Sequence, residues 1–258
     1  MRKALLAWNG RANRFFERHS RGIRGFDTYK RAVNDAVARS STVIHLGAGR
    51  MWLGEVCDVD LNGKLVHAVE PDPVTLEHNP APSKILAAGE SIPLPDGSVD
   101  AIVCEYVVEH LTHPVEVLRE SRRLLRPGGR FVFLTPNLLA YSGLITHYSP
   151  QWFHRWFLGR LVSAGGSANV RPYPTAFRMN TIWAVRRCAR EAGLDVRLLE
   201  TTVDYPTYTY AIPVVHQLAV AWHFALDYVP GLAPLRISLV GVLEKPESPV
   251  AAALEAAS

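Results

Sequence analysis

Two short apolar runs, each stopped by a residue suited to meeting a ligand, constrain this chain more than any other feature. Val43-Ile44-His45-Leu46 ends on Gly47-Ala48-Gly49, and Leu65-Val66-His67-Ala68-Val69 ends on Glu70. Short apolar runs bounded by turn formers read as strands buried on both faces, as in a parallel sheet. Glycines at the end of such a strand let the backbone approach a ligand closely, and a helix starting there offers unpaired N–H groups and a positive dipole end. Glu70 lies 21 residues past Gly49, where an acidic side chain can accept both hydroxyls of a ribose. Either feature alone is an ordinary turn or an ordinary surface carboxylate. The information lies in the two together at this spacing.

Further strands are expected at 84–87, 99–104, 130–135, 194–200 and 237–243, making seven with 43–46 and 65–69. Helical spacing of apolar residues marks 28–39, 113–125, 181–192 and 214–229, the third ending at Gly193. Strand and helix alternate, which predicts an α/β fold: a Rossmann-like, seven-stranded, mainly parallel sheet with helices on both faces and its ligand site at the carboxyl ends of the strands. Residues 136–180 and 205–236 break the rhythm with aromatics and loop formers and read as substrate-side insertions. The expected organisation is a basic N-terminal helical arm over 1–40, a main domain over 41–245 and a flexible tail over 246–258. With 258 residues, one large domain of this kind is the natural size.

Residues 1–40 carry ten Lys or Arg against Glu17, Asp27 and Asp35, whereas the whole chain has a net charge of only +4. Such an arm is either a solvated helical face or an attractor for phosphates or an anionic bilayer. Nucleic acid is disfavoured, because no binding motif accompanies the charge. Cys57, Cys104 and Cys188 share no metal-type or disulfide spacing, which suits a reducing cytoplasm. Residues 4–8 are too short for a secretory core, and the 214–229 helix is too short and too polar to span a bilayer. The expected location is cytoplasmic, with peripheral contact at the inner membrane surface as an option.

The dinucleotide fingerprint would require glycine at position 52, where this chain has Trp52, so a nucleotide-dependent oxidoreductase is a lesser alternative. Taken in order, residues 43–50 (VIHLGAGR), 67–72 (HAVEPD), 87–100 (AAGESIPLPDGSVD), 101–114 (AIVCEYVVEHLTHP) and 122–137 (RRLLRPGGRFVFLTPN) resemble class I S-adenosylmethionine-dependent methyltransferases. The likeness is to the branch that includes the ubiquinone and menaquinone biosynthesis methyltransferases. It covers roughly residues 40–137 and continues more faintly to 200.

The resemblance implies S-adenosyl-L-methionine as cofactor and assigns roles by position. Leu46, Gly47, Ala48 and Gly49 would face its methionine end, Glu70 and Pro71 its ribose, and Ala88, Gly89 and Glu90 its adenine. Glu105, Tyr106 and His110 would pass beside the methionine and methyl group, and residues 125–129 would form a structural turn before the fifth strand. Three positions depart from the family pattern: Met51 replaces a glycine, His45 an acidic residue, and Ala88 the aspartate that commonly meets the adenine amine. Some relatives hold a metal through a Glu-x-x-Glu-His pattern. Here the spacing is Glu105-x-x-x-Glu109-His110, and on a helix the extra residue turns Glu105 away by about 100°, so no metal site is expected.

Methyl transfer needs the acceptor aligned, water excluded and, for a hydroxyl acceptor, a proton removed. His110 is the first candidate for that base, since histidine titrates near neutral pH; His147, His113, Tyr148 and Tyr173 are the others. A histidine at a helix start more often only packs or caps. The acceptor is expected to be a small molecule, a lipid-linked compound or a glycan, with residues 172–181 (PYPTAFRMNT) resembling a segment of bacterial methyltransferases near surface-glycan and lipid pathways. A non-catalytic binding or regulatory protein on the same fold is the main alternative. Oligomeric state is not legible in the sequence.

Overall fold

Alternation within the strands builds two cores, one on each face of the sheet. In the computed structural model, which describes residues 2–20, 24–148, 174–204, 209 and 213–247, seven strands form one sheet: β1 (Thr42–Leu46), β2 (Leu65–Glu70), β3 (Ser83–Leu86), β4 (Val99–Glu105), β5 (Leu125–Pro136), β6 (Asp195–Thr202) and β7 (Ser238–Glu244). Ile44, Leu46, Ile102, Cys104, Phe131 and Phe133 point to one face, where α4 (Pro114–Leu124) and α6 (Ile182–Ala192) cover them with Val117, Leu118, Val185 and Cys188. Val43, Ala101, Val103, Val132 and Leu134 point to the other, under Tyr29, Val33 and Val37 of α2 (Gly25–Ala38). Each fully buried Val, Leu or Phe contributes about 1.5–3 kcal/mol. Phe133 is a sensitive spot. A Cβ on Gly241 would come within 2.3 Å of its ring, so its neighbour is already as small as a residue can be.

The strand order is β3-β2-β1-β4-β5-β7-β6. β1 pairs in parallel with β2 and β4, β2 with β3, and β4 with β5. β7 runs the other way: Gly128 and Gly129 exchange backbone hydrogen bonds with Lys245 at 2.9 Å, whereas nearer the other end Phe133 faces Gly241. The sheet is therefore parallel but for this strand, in line with the expected mainly parallel architecture.

Two local readings are corrected. Residues 125–129 were expected to form a turn ahead of a strand at 130, but β5 already starts at Leu125. The pairing jumps from Val99↔Leu125 to Ala101↔Arg130, so Arg-Pro-Gly-Gly is an irregularity inside the strand, where extra residues bend the ladder without ending it. Residues 105–110 are not one helix either. Glu105 closes β4 and only Val108–His110 make a 3-10 turn, so Glu105 and Glu109 are not related by the expected helical rotation.

Helix ends follow their local chemistry. Asp72 accepts the N–H groups of Val74 and Thr75 to start α3 (Pro73–Glu77), and Pro114 occupies the first turn of α4. Thr181 caps Ala184 N–H at 3.2 Å, and Gly193, at φ 72°, closes α6 in the left-handed conformation.

The chain divides into two compact units. One, from residues 26–135, 176–200 and 239–258, holds the sheet core; α2 belongs to it although the basic arm was expected to run to residue 40. The other gathers 1–25, 136–175 and 201–238, and its described helices are α1 (Arg2–His19), α5 (Tyr141–Tyr148) and α7 (Pro213–Tyr228). Phe16, Val203, Val220 and Leu226 form its own small core. Of the expected insertions, residues 149–173, 205–208 and 210–212 lie outside the described residues, as does most of the expected tail.

Candidate active site

Strand order reverses beside β1: the chain goes outward through β2 to β3, then returns to lay β4 on the other side. At such a reversal the connections leave in opposite directions and open a crevice at the carboxyl ends of the strands. Leu46, Glu70 and Glu105 are the last residues of β1, β2 and β4, and Ala88, Gly89 and Glu90 follow β3. The fold thus places the sequence-predicted positions along one edge of the sheet.

The turn after β1 is built around two left-handed glycines, Gly47 at φ 63° and Gly49 at φ 54°. The Gly47 and Ala48 N–H groups donate to Val69 O at 2.8 and 3.2 Å, tying the turn to the end of β2. A Cβ on Gly47 would lie 2.3 Å from Val107 Cγ2. Gly47 is therefore required twice, by its backbone angle and by the segment after β4 that packs against it.

Glu70 is buried, and its carboxylate organises the same turn. Oε2 accepts the Gly49 N–H at 3.0 Å and Oε1 the Asp72 N–H at 3.3 Å. A carboxylate oxygen has two lone-pair directions, so each keeps acceptor capacity beyond these bonds. Pro71 beside it and Ala88 are exposed, Gly89 and Glu90 are partly exposed, and Gly89 lies close to Val117 and Leu46.

Asn79 is a residue that the sequence did not single out. Fully buried, it donates from Nδ2 to Gly49 O at 2.9 Å and Met51 O at 3.0 Å and accepts the Ala81 N–H on Oδ1 at 2.8 Å. It braces the turn at Met51, where the family pattern has a third glycine. An Asn in a helix-to-loop segment is common, so its pattern in the sequence gave no signal. His45, where the family has an acidic residue, is buried in β1, and burial lowers its pKa to about 4. It stands there as a neutral imidazole.

The segment after β4 forms the other wall. Glu105 Oε2 is buried with no hydrogen-bond partner among the described residues, and burial pushes its carboxyl above the usual range. Tyr106 sits at φ 52° and is about half exposed. A non-glycine residue held in that region is a strain that active sites commonly carry. Buried Glu109 shows the same upward shift from desolvation. Its carboxylate accepts the Thr135 hydroxyl at 2.9 Å, Asn180 Nδ2 donates to that hydroxyl at 2.7 Å, and its backbone carbonyl takes the N–H groups of Ala176 and Phe177. The 176–181 segment is thereby anchored to the loop after β4. His110 lies in the 3-10 turn, partly exposed, and His113 starts α4 without a side-chain capping bond. His147 lies in α5, with its side chain outside the described residues, as are Tyr148's and Tyr173.

Among the described residues no cluster of three or more His, Cys, Asp or Glu could hold a metal. The cradle suits an organic cofactor: an open glycine turn, a buried carboxylate with acceptor capacity, and a second carboxylate oxygen without a partner among the described residues.

Fold and site together resemble those of a Rossmann-like, class I S-adenosylmethionine-dependent methyltransferase. Comparison with known proteins agrees: residues 12–133 match the family described as a methyltransferase domain. A protein of Mycolicibacterium smegmatis named as an S-adenosylmethionine-dependent methyltransferase is 32% identical over 135 residues, covering 50% of this chain and 48% of that protein. The chain spans about half the length, or less, of the curated relatives it matches. Among solved structures, an S-adenosylmethionine-dependent methyltransferase from Mesorhizobium loti superposes with TM-score 0.51 at 16% identity, over 84% of this chain and 96% of that one. The cyclase SpnF gives 0.51 at 15%, over 86% and 81%. At these identities the superpositions speak to the fold, and the presence of a cyclase among them illustrates that this fold alone does not fix the reaction.

Proposed function

We propose that the chain transfers a methyl group from S-adenosyl-L-methionine to a small-molecule, lipid-linked or glycan acceptor. The observation that carries this reading is the Glu70 carboxylate, buried at the end of β2, bonded to Gly49 N–H, with lone pairs left for vicinal hydroxyls. In this reading Gly47 to Gly49 and Leu46 receive the methionine end, Glu70 and Pro71 the ribose, and Ala88 to Glu90 the adenine. Glu105 supplies its unpaired oxygen to the cofactor's ammonium group, a charge-assisted contact that favours the ionised carboxyl. His110 lies on the methyl side and orients the acceptor or takes its proton.

The bound cofactor would supply a sulfonium methyl, transferred in line to the acceptor's nucleophilic atom. The protein's share is alignment, exclusion of water and placement of the acceptor proton. The resemblance of residues 172–181 to glycan- and lipid-pathway methyltransferases supports the lipid-linked and glycan acceptors within the proposed class.

Calorimetric titration with S-adenosylmethionine and S-adenosylhomocysteine tests the reading. Wild type should bind both, and Glu70→Ala should weaken binding about 10- to 100-fold, the equivalent of one strong charge-assisted contact. Gly47→Val should abolish it, and an Asp or Glu variant at His110 should leave binding intact while lowering turnover. Failure of well-folded wild type to bind either compound would refute the proposal and leave the non-catalytic alternative.

A further inference from the structure

Helix α7 buries polar residues beside its core-facing Val220 and Leu226 and exposes a run of apolar ones. A surface helix normally turns its apolar stripe inward and its polar residues to water. In α7 the inward positions include His216, His223 and Asp227, all buried. They are held by partners: His216 Nε2 lies 2.9 Å from Asn13 Oδ1, His223 Nδ1 meets Asp204 O, and Ser20 donates to Asp227 at 2.8 Å. The outward positions carry Val214 and Leu218, each 67% exposed, and Trp222, 38% exposed. These recur at i, i+4 and i+8, so they form one continuous stripe.

Helix α1 extends that surface. Trp8 and Phe15 are 48% and 56% exposed, and with Ala221 and Phe224 of α7 they line a groove of about 500 Å³, with Arg11 on its wall. Arg11, Arg14 and Arg18 are exposed and, among the described residues, none forms an ion pair. An apolar and aromatic face bordered by unpaired cations has the composition of a helix pair lying in a lipid interface. Positive charge at the border disfavours a second copy of the chain, which would bring the same charge to the contact, and favours an anionic surface. No described helix is long and apolar enough to cross a membrane, which leaves α7 in the plane of the interface.

We propose that the outer face of α7 and the adjoining edge of α1 dock on an anionic phospholipid bilayer, with Val214, Leu218 and Trp222 inserted below the headgroups and Arg11, Arg14 and Arg18 against the phosphates. This surface is independent of the methyl-transfer reading and can stand or fall without it.

Flotation of the full chain with vesicles of phosphatidylcholine, with and without phosphatidylglycerol, is the test. Wild type should float with the phosphatidylglycerol vesicles, less so as salt rises, and each arginine changed to alanine should weaken binding about fivefold. Leu218→Glu with Trp222→Glu should abolish flotation while keeping the wild-type circular dichroism and melting curve. Should that double variant misfold, brominated lipid should quench wild-type fluorescence more than that of Trp222→Phe. The proposal is overturned if wild type fails to float at low salt, if its quenching matches Trp222→Phe, or if a folded double variant floats equally well. A wild-type dimer that the double variant converts to monomer would overturn it too, assigning the face to a second copy.

Discussion

Replacing Glu105 by Gln should make the protein more stable and a poorer binder of S-adenosylmethionine at once. Glu105 Oε2 is buried without a partner among the described residues, and desolvation raises the carboxyl's pKa. The ionised form therefore opposes folding. Leaving a buried polar group unsatisfied costs about 1–3 kcal/mol. A neutral amide of the same shape recovers part of this, so a gain near 1 kcal/mol is expected, or roughly 2–4 °C in melting temperature for a chain of this size. The sign of the pH dependence follows. A carboxyl whose folded pKa lies above its unfolded value holds its proton more tightly when folded, so its contribution is favourable at low pH and is lost as pH rises through the folded pKa. The advantage of Glu105→Gln over wild type should thus be small near pH 4 and grow toward neutrality. Glu109 is raised in the same direction but is present in both proteins and largely cancels in the difference. Differential scanning fluorimetry across pH, with and without S-adenosylhomocysteine, measures both halves. Ligand should shift wild type more than the variant, narrowing or reversing the gap. A variant less stable than wild type at pH 7 without ligand, or one that binds equally well, would refute the assignment of a functionally retained, unpaired carboxylate.

Three other outcomes are expected. Asn79→Ala removes two bonds to the glycine turn and should cost about 1–3 kcal/mol in urea unfolding, with a measurable loss of cofactor affinity by calorimetry. Thr135→Val breaks the link between Glu109 and Asn180; leaving both buried partners short should cost a similar amount, and the 176–181 amides should exchange faster with deuterium. His45, with its folded pKa lowered to about 4 by burial, gives stability that is present above the unfolded value near 6.5 and lost as pH falls toward 4. His45→Val should flatten the acid limb of the stability profile by on the order of 2–4 kcal/mol, read from urea midpoints at pH 7 and pH 4.5.

Much of the frame was legible because it depends on local pattern. Gly47, Gly49 and Glu70 could be read from spacing, since a parallel strand buried on both faces must be apolar throughout and must end where its turn begins. Gly193 and Thr181 marked the limits of α6 for equally local reasons. What was hidden depends on tertiary neighbours. Arg126 to Gly129 look like a turn in isolation, yet pairing with Lys245 draws Gly128 and Gly129 into β5. Asn79, Thr135 and Asn180 are polar residues whose importance comes from being buried beside particular partners, and no periodicity announces that. The polar residues of α7 weigh against a membrane span in the sequence; in the structure His216, His223 and Asp227 are buried with Val220 and Leu226, while Val214, Leu218 and Trp222 are exposed.

The antiparallel placement of β7 has a consequence for how the chain can assemble. In the sheet β7 lies between β5 and β6, so β6 leaves the ribosome before the strand it must pair with and has to wait while α7 is made. The edge of β5 waits with it. Pairings of this kind join segments distant in sequence and form late, because loop closure must precede any gain from the contact. During that interval two strand edges are open to other chains. Expression yield and aggregation in this protein should accordingly be more sensitive to substitutions in β7, whose pairing with β5 joins Gly128 to Lys245 across 117 residues, than to equally buried changes in β1, whose partners lie 23 and 58 residues away.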